Sequence, residues 1–339
     1  MGRLTVLQSF PTPRPTTNPY LVLLADALRS DPEVEVLNFS WRNALLSRYD
    51  VFHVHWPEIM VTGGKWHKRA VRQLLFVGLL ARLRLQRIAV VRTKHNIELP
   101  DGLSKLQEQL LRLFEKNTDL LIRLTNETPV DKPSVTIPHG HYRDWYGKQA
   151  QSPSIPGRIG YAGLIRRYKG VESLVEAFSA MTDQSLTLVL GGNPSSEALQ
   201  THLSDAAKSD PRIILNLSFL SDSQFVDTIT SSELMAFPYR FMHNSGGVLA
   251  ALSLDRPVLV PDNAVNRALA EEVGSGWIHF FTAPMTADHI ESALTSLRSA
   301  KITSTPDLSG REWDDAAQAH KSAYKQALRI RHNEKAVLS

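Results

Sequence analysis

Short apolar, β-branched runs alternate with longer stretches of helical periodicity along the whole chain. Residues 4–8, 34–39, 51–55, 88–92, 120–124 and 134–137 predict strands, with helices predicted at 18–30, 67–85 and 103–117. The strands are apolar on both faces, the pattern of a parallel sheet covered by helices on each side. A polar, turn-rich stretch, QAQSPSIPG at 149–157, interrupts the alternation and reads as a linker. The pattern then restarts, with strands at 159–162, 186–190, 212–216, 234–237 and 257–260. Helices are predicted between them at 171–181, 195–207, 221–230, 246–254 and 266–273. The expected fold class is α/β, with two Rossmann-like doubly wound domains, 1–150 and 151–312, facing a cleft. A last helix, 313 to about 329, opens a C-terminal segment 313–339 and is a candidate to return to the first domain.

The length of 339 residues agrees with two domains. The absence of cysteine excludes disulfide frameworks, thiolate metal sites, iron–sulfur clusters and a thiol nucleophile. Charge is unevenly placed: residues 1–150 carry 21 Lys and Arg against 14 Asp and Glu, whereas 151–339 carry 17 against 20. A basic half suits nucleic acid, an anionic membrane surface or a phosphorylated substrate. Nucleic acid is set aside, because the basic residues sit among apolar ones, without aromatic interleaving or a recognised module. The start, MGRLTVLQSF, has no long apolar core, so no signal peptide is expected. No apolar stretch reaches the roughly 18 residues of a membrane span. The expected location is cytoplasmic, either soluble or peripheral on the inner face of the cell membrane.

In open parallel sheets ligands bind beyond the carboxyl ends of the strands. After the first strand of the second set comes GYAGLIRRYKG at 160–170, which places Arg166, Arg167 and Lys169 beside Gly170 and a helix start. Flexible backbone and concentrated positive charge there suit a diphosphate. PYRFMHNSGG at 238–247 offers a second anion cradle, with Ser245 as N-cap and Gly246 and Gly247 exposing amides at a positive dipole end. In the first domain, HVHWPE at 53–58 puts His53 and His55 on one face of a strand and Glu58 beyond its end. An imidazole and a carboxylate lining a polar cleft, one of them a base, is one reading; core histidines satisfied by backbone bonds is the other for His53. A zinc pair lacks a third ligand at suitable spacing. TKHNIE at 93–98 supplies His95, a base or a partner for a sugar hydroxyl, and PHGHY at 138–142 reads as a structural turn.

In this order DVFHVHWPE, TKHN, IPHG, GLIRRYKGVESLVEAF, LVLGG and PYRFMHNSGG, followed by AALSLDRPVLVP, resemble a GT-B-fold glycosyltransferase over nearly the whole chain. The nearest likeness is to bacterial GDP-mannose:glycolipid β-mannosyltransferases of exopolysaccharide synthesis. A more distant one is to the large retaining family that includes sucrose synthase. The resemblance implies a nucleotide-sugar donor, most simply GDP-mannose, and a lipid-linked saccharide acceptor. It matches Lys169, before Gly170, to the family's diphosphate-binding lysine, with Arg166 in place of its arginine, and sets the nucleotide base near residues 217–222; Tyr239, Ser245, Gly246 and Gly247 join them as expected donor contacts. The large family carries two glutamates where this chain has Met242 and Ala250, and an arginine where it has Gly163. The missing first glutamate favours inversion, which needs a base on the acceptor side. Glu58 is the first candidate and His55 the second, with His95 matching the family histidine near the transferred sugar. No metal and no cofactor are expected if the basic groups and the helix start neutralise the leaving diphosphate. A retaining enzyme using a UDP-sugar, or a sugar or nucleotide binder without chemistry, are the alternatives.

The glycine-rich loop that the family has after its first strand is replaced here by a segment containing Asn18 and Tyr20. These two, with Lys65, Trp66, Lys68, Arg69 and Arg72 of the basic helix, are expected to face the acceptor or an anionic membrane surface. Residues 74–80 of that helix are apolar all round, which predicts burial for its middle.

Overall fold

The computed structural model describes residues 3–97, 99, 102–300, 302 and 304–333. The chain forms two compact units, one from Met1–Gly140 together with Arg311–Ser339, the other from His141–Gly310.

In the first unit the strands are β1 (Leu4–Gln8), β2 (Val34–Leu37), β3 (Val51–Val54), β4 (Ala89–Lys94), β5 (Leu120–Arg123) and β6 (Ser134–Thr136). They form one sheet in the order β2-β1-β3-β4-β5-β6, with every pairing parallel. Helices α1 (Pro19–Ser30), α2 (Trp41–Leu46), α3 (Trp66–Leu85) and α4 (Lys105–Asn117) connect them. Side-chain alternation along the strands splits the core into two layers. Val6, Val51, Val91 and Ile122 pack with Leu24 and Leu28 of α1, whereas Leu7, Phe52 and Val90 pack with Phe76, Leu79 and Phe114 of α3 and α4. Asn18 starts α1 by accepting the Tyr20 amide, with Pro19 at the first helical position, and Ser104 and Gln107 form a capping box on α4.

The second unit begins with the short α5 (Arg143–Tyr146) and continues β7 (Arg158–Ala162), α6 (Val171–Ser179), β8 (Thr187–Gly191), α7 (Glu197–Ser209) and β9 (Ile213–Asn216). It is completed by α8 (Asp222–Thr230), β10 (Leu234–Ala236), α9 (Gly246–Ser253), β11 (Val258–Pro261), α10 (Ala264–Val273), β12 (Ile278–Phe281) and α11 (Ala287–Ser299). Its sheet is also parallel throughout, in the order β12-β11-β10-β7-β8-β9. The stretch at 149–157 is not a free tether. Ser152 donates its amide to the Thr230 hydroxyl and Ile155 to the Ser231 carbonyl, which fixes the stretch along the second unit. The division therefore falls at 140/141, and again at 310/311.

The last helix, α12 (Trp313–Asn333), belongs to the first unit. Ala317, Ala323, Tyr324 and Ala327 enter the layer formed by α1. Lys321 reaches Asp31 at 2.7 Å, which holds that carboxyl below its ordinary range, and Arg331 meets the buried Asp119 at 3.1 Å. Asp119 also accepts the Val90 amide, so the helix is tied to the base of the sheet.

Candidate active site

Each sheet has one point where the chain reverses its direction of winding, and there the carboxyl ends of two adjacent strands diverge and leave room for a ligand. In the first unit this point lies between β1 and β3, so Gln8 and the residues following Val54 line it. In the second it lies between β7 and β10, the strands preceding the two basic or glycine-rich loops.

Around the first point the structure gathers a buried polar network. His55 bonds Gln8 Oε1 through Nε2 at 3.2 Å and His95 Nε2 through Nδ1 at 3.2 Å. Tyr324 of α12 accepts from Gln8 Nε2 at 3.3 Å and meets His53 Nδ1 at 2.8 Å, while His53 Nε2 meets the Thr93 hydroxyl at 2.8 Å. These partners fix the protons. The Gln8 oxygen requires hydrogen on His55 Nε2, so His55 Nδ1 is an acceptor and His95 Nε2 must donate to it. The lone pair of His95 is thereby placed on Nδ1. Burial pushes His53, His55 and His95 well below the ordinary histidine range, each lowered further by neighbouring histidines, so the network is neutral near pH 7. Trp56 stacks on His95, with centroids 4.3 Å apart and planes inclined by 20°.

Three expectations for this unit change. His55 is buried with both ring nitrogens bonded within the network, so it orients His95 and is not open to a substrate as a base. Tyr20 is buried among His55, His95, His139 and Trp313 and faces neither acceptor nor membrane, whereas Asn18 stays exposed while its side-chain oxygen caps α1. Arg72 turns inward to the Thr62 carbonyl at 3.0 Å. Glu58 keeps its candidacy: it is half-buried on a short 3-10 turn, Pro57–Met60, just past β3. Desolvation pushes its carboxyl above the ordinary range, partly opposed by its own backbone and by Arg92. Glu98 lies outside the described residues. His139 donates to its neighbour's carbonyl at Gly140, whose backbone passes so close to Trp313 that a Cβ would sit 2.4 Å from the ring. Gln8, Thr93, Trp56 and Tyr324 are the members the sequence reading missed.

At the second point the two loops touch. Gly170 has φ +68°, and a Cβ there would stand 2.2 Å from the Pro238 carbonyl oxygen, so glycine is required both by conformation and by close approach. That approach sets Lys169 Nζ 5.1 Å from the Tyr239 ring centroid, within cation–π range. Arg166 is half-exposed and anchored by Nη1 to the Ile165 and Asn193 carbonyls. Ser245 caps α9 by accepting the Val248 amide, as the sequence implies. Gly247 has a packing reason of its own, since a Cβ there would meet the Phe237 ring at 2.9 Å. Met242 and Ala250 are buried and apolar, so no carboxylate enters from either position. In the loop after β9, Phe219 is exposed, and Asp222, the first residue of α8, accepts from Trp145 Nε1 at 3.0 Å. Among the described residues, no group of three or more His, Asp or Glu side chains is arranged to hold a metal ion.

Two six-stranded parallel sheets, each with its own switch point, give the chain the GT-B fold. Solved structures share that fold. Sucrose-phosphate synthase from Thermosynechococcus elongatus superposes with a TM-score of 0.62 at 12% identity, covering 99% of this chain and 100% of the other. The catalytic domain of starch synthase IV from Arabidopsis thaliana gives 0.65 at 11% identity, covering 97% and 100%. No family model matches the chain. A relative in Xanthomonas campestris pv. campestris, a GDP-mannose:glycolipid 4-β-D-mannosyltransferase, is 40% identical over 327 residues, spanning 96% of this chain and 93% of the relative. The chain belongs to that glycosyltransferase family.

Proposed function

We propose that the protein transfers mannose from GDP-mannose to a hydroxyl of a lipid-linked saccharide, with inversion at the anomeric carbon and without a metal ion, at the inner face of the cell membrane. The donor and acceptor follow those in the name of the Xanthomonas relative. The single structural observation that carries the reading is the meeting of Lys169, Gly170 and Tyr239 at the β7/β10 switch point. Lys169, Arg166 and the amides opening α9 supply positive potential for a diphosphate leaving group.

In an inverting displacement the acceptor oxygen forms its bond to the sugar carbon as the diphosphate oxygen leaves, and a base removes the acceptor proton. Glu58 takes that role, since a carboxyl raised by desolvation is a stronger base than one in water. His95, neutral and oriented through His55 and Gln8, stands beside the β1/β3 switch point as a contact for the transferred sugar. The apolar character of Met242 and Ala250 supports inversion, because the carboxylates of the retaining family have no counterpart there.

Glu58→Gln tests the assignment. Turnover is expected to fall by about 10²–10⁴-fold, with GDP still raising the melting temperature and with activity of the wild type unchanged by EDTA. Wild-type turnover in the variant, or inactivation by EDTA that magnesium restores, would overturn the base or the metal-free reading respectively.

A further inference from the structure

Helix α3 has two apolar faces, and only one of them is used by the fold. Phe76, Leu79, Leu80 and Leu83 point into the core. On the opposite side, all six exposed residues from 70 to 81 are apolar: Ala70, Val71, Leu74, Val77, Gly78 and Ala81. The stripe is extended by Trp66 and Leu85, and Trp66, Leu74 and Leu85 are 75%, 72% and 83% exposed. The expectation of a buried middle was therefore half right: periodicity cannot tell a helix buried all round from one with a second apolar face. A solvent-facing helix side normally carries charged groups, and large contiguous apolar surface marks an interaction site.

The charges around the stripe define the partner. Between residues 59 and 97 there are nine Lys and Arg and no Asp or Glu. Lys65, Lys68 and Arg69 stand exposed at the amino end of α3, with no acidic residue in its first turn. Cations there oppose the helix dipole and cost stability within the isolated fold. An external anionic surface reverses that cost. At the other end Arg84 is exposed beside a depression of about 420 Å³ that Arg87 and Lys116 also line. The apolar stripe thus runs between two basic ends, over a helix of 20 residues, about 30 Å long. Among the described residues no helix is long and apolar enough to cross a membrane.

We propose that α3 lies flat in the surface of an anionic bilayer, with Trp66, Leu74, Val77 and Leu85 inserted among the acyl chains and Lys65, Lys68 and Arg69 against the headgroups. This deepens the lipid-acceptor reading, but it is measured without any transfer reaction. The full chain is floated with vesicles of phosphatidylcholine alone and of phosphatidylcholine mixed with phosphatidylglycerol. Binding is expected to the anionic vesicles and to weaken with salt. Leu74→Glu, an exposed position that leaves the core intact, is expected to lower binding about tenfold or more, while GDP still raises its melting temperature as in the wild type. Lys65→Glu with Lys68→Glu is expected to remove most of the salt-sensitive part. Failure of the wild type to bind anionic vesicles, or equal binding by Leu74→Glu, overturns the proposal. So does a lipid-free dimer that Leu74→Glu converts to monomer without any vesicle binding, which would make the stripe a contact between copies. Loss of nucleotide binding by the wild type, with vesicle binding intact, would instead count against the donor reading.

Discussion

The buried histidines should make the first unit sensitive to mild acid. Burial lowers His139 and His320 from about 6.5 to about 4, and His53, His55 and His95 shift in the same direction. A histidine with a depressed folded pKa binds more protons unfolded than folded between its two pKa values, so stability falls as pH drops through that window. For a shift from about 6.5 to about 4, moving from pH 7 to pH 5 removes about 2 kcal/mol per histidine. His139 and His320 together remove about 4 kcal/mol, a large part of the 5–15 kcal/mol typical of a folded domain. Below about pH 4 their further effect vanishes, because both states are then protonated. The raised Glu58 works with the opposite sign, since a carboxyl protonated more readily in the fold gains stability as pH falls. It is one group against five. The assay is urea unfolding at pH 7, 6 and 5, followed by circular dichroism. His320 donates Nδ1 to the Ala316 carbonyl at 2.7 Å and has a buried Nε2 without a partner, so His320→Phe removes one titration without stranding a charge. The acid loss in that variant should shrink by about 2 kcal/mol. Equal unfolding free energies at pH 7 and pH 5, or an unchanged pH slope in His320→Phe, would refute the reasoning.

Three substitutions probe the two switch points. Lys169→Ala should lower kcat/KM by about 10²-fold through lost diphosphate stabilisation, with little change in melting temperature; unaltered kinetics would remove it from the donor site. Gly170→Ala should cost about 2 kcal/mol or more from backbone strain alone, with the Pro238 clash adding to it, and calorimetry of the variant measures this. Tyr324→Phe, which leaves Gln8 Nε2 and His53 without their shared hydroxyl, should destabilise the first unit by about 1–3 kcal/mol and weaken the orientation of His95. A fall in kcat with unchanged GDP binding separates that effect from unfolding.

Much of the fold was legible because its strands are apolar on both faces and separated by amphipathic helices. What escaped was mostly short or polar, although the 13-residue α11 with its buried Ile290 and Leu294 escaped as well. Helix α2 has only six residues, and β12 carries His279 among its four, so neither presents a clear period. The turn-rich 149–157 stretch looked like a tether because its composition cannot show that Ser152 and Ile155 bond to the second unit. The two loops that meet at the β7/β10 switch point were readable as loops, since glycine and basic residues at strand ends are local signals. The histidine network was not: His53 and Tyr324 are 271 positions apart, and nothing near either one announces the other. His55 shows the same limit from the opposite side. Its strand position marked it as a site residue, whereas its two occupied nitrogens, which only the fold reveals, make it a support for His95.

The most direct test of the account is the anomeric configuration of the product formed from GDP-mannose and a lipid-linked saccharide, determined by NMR. A β-mannosyl product agrees with single displacement by a hydroxyl deprotonated at Glu58. An α-mannosyl product, or transfer from a UDP-sugar with none from GDP-mannose, would contradict it.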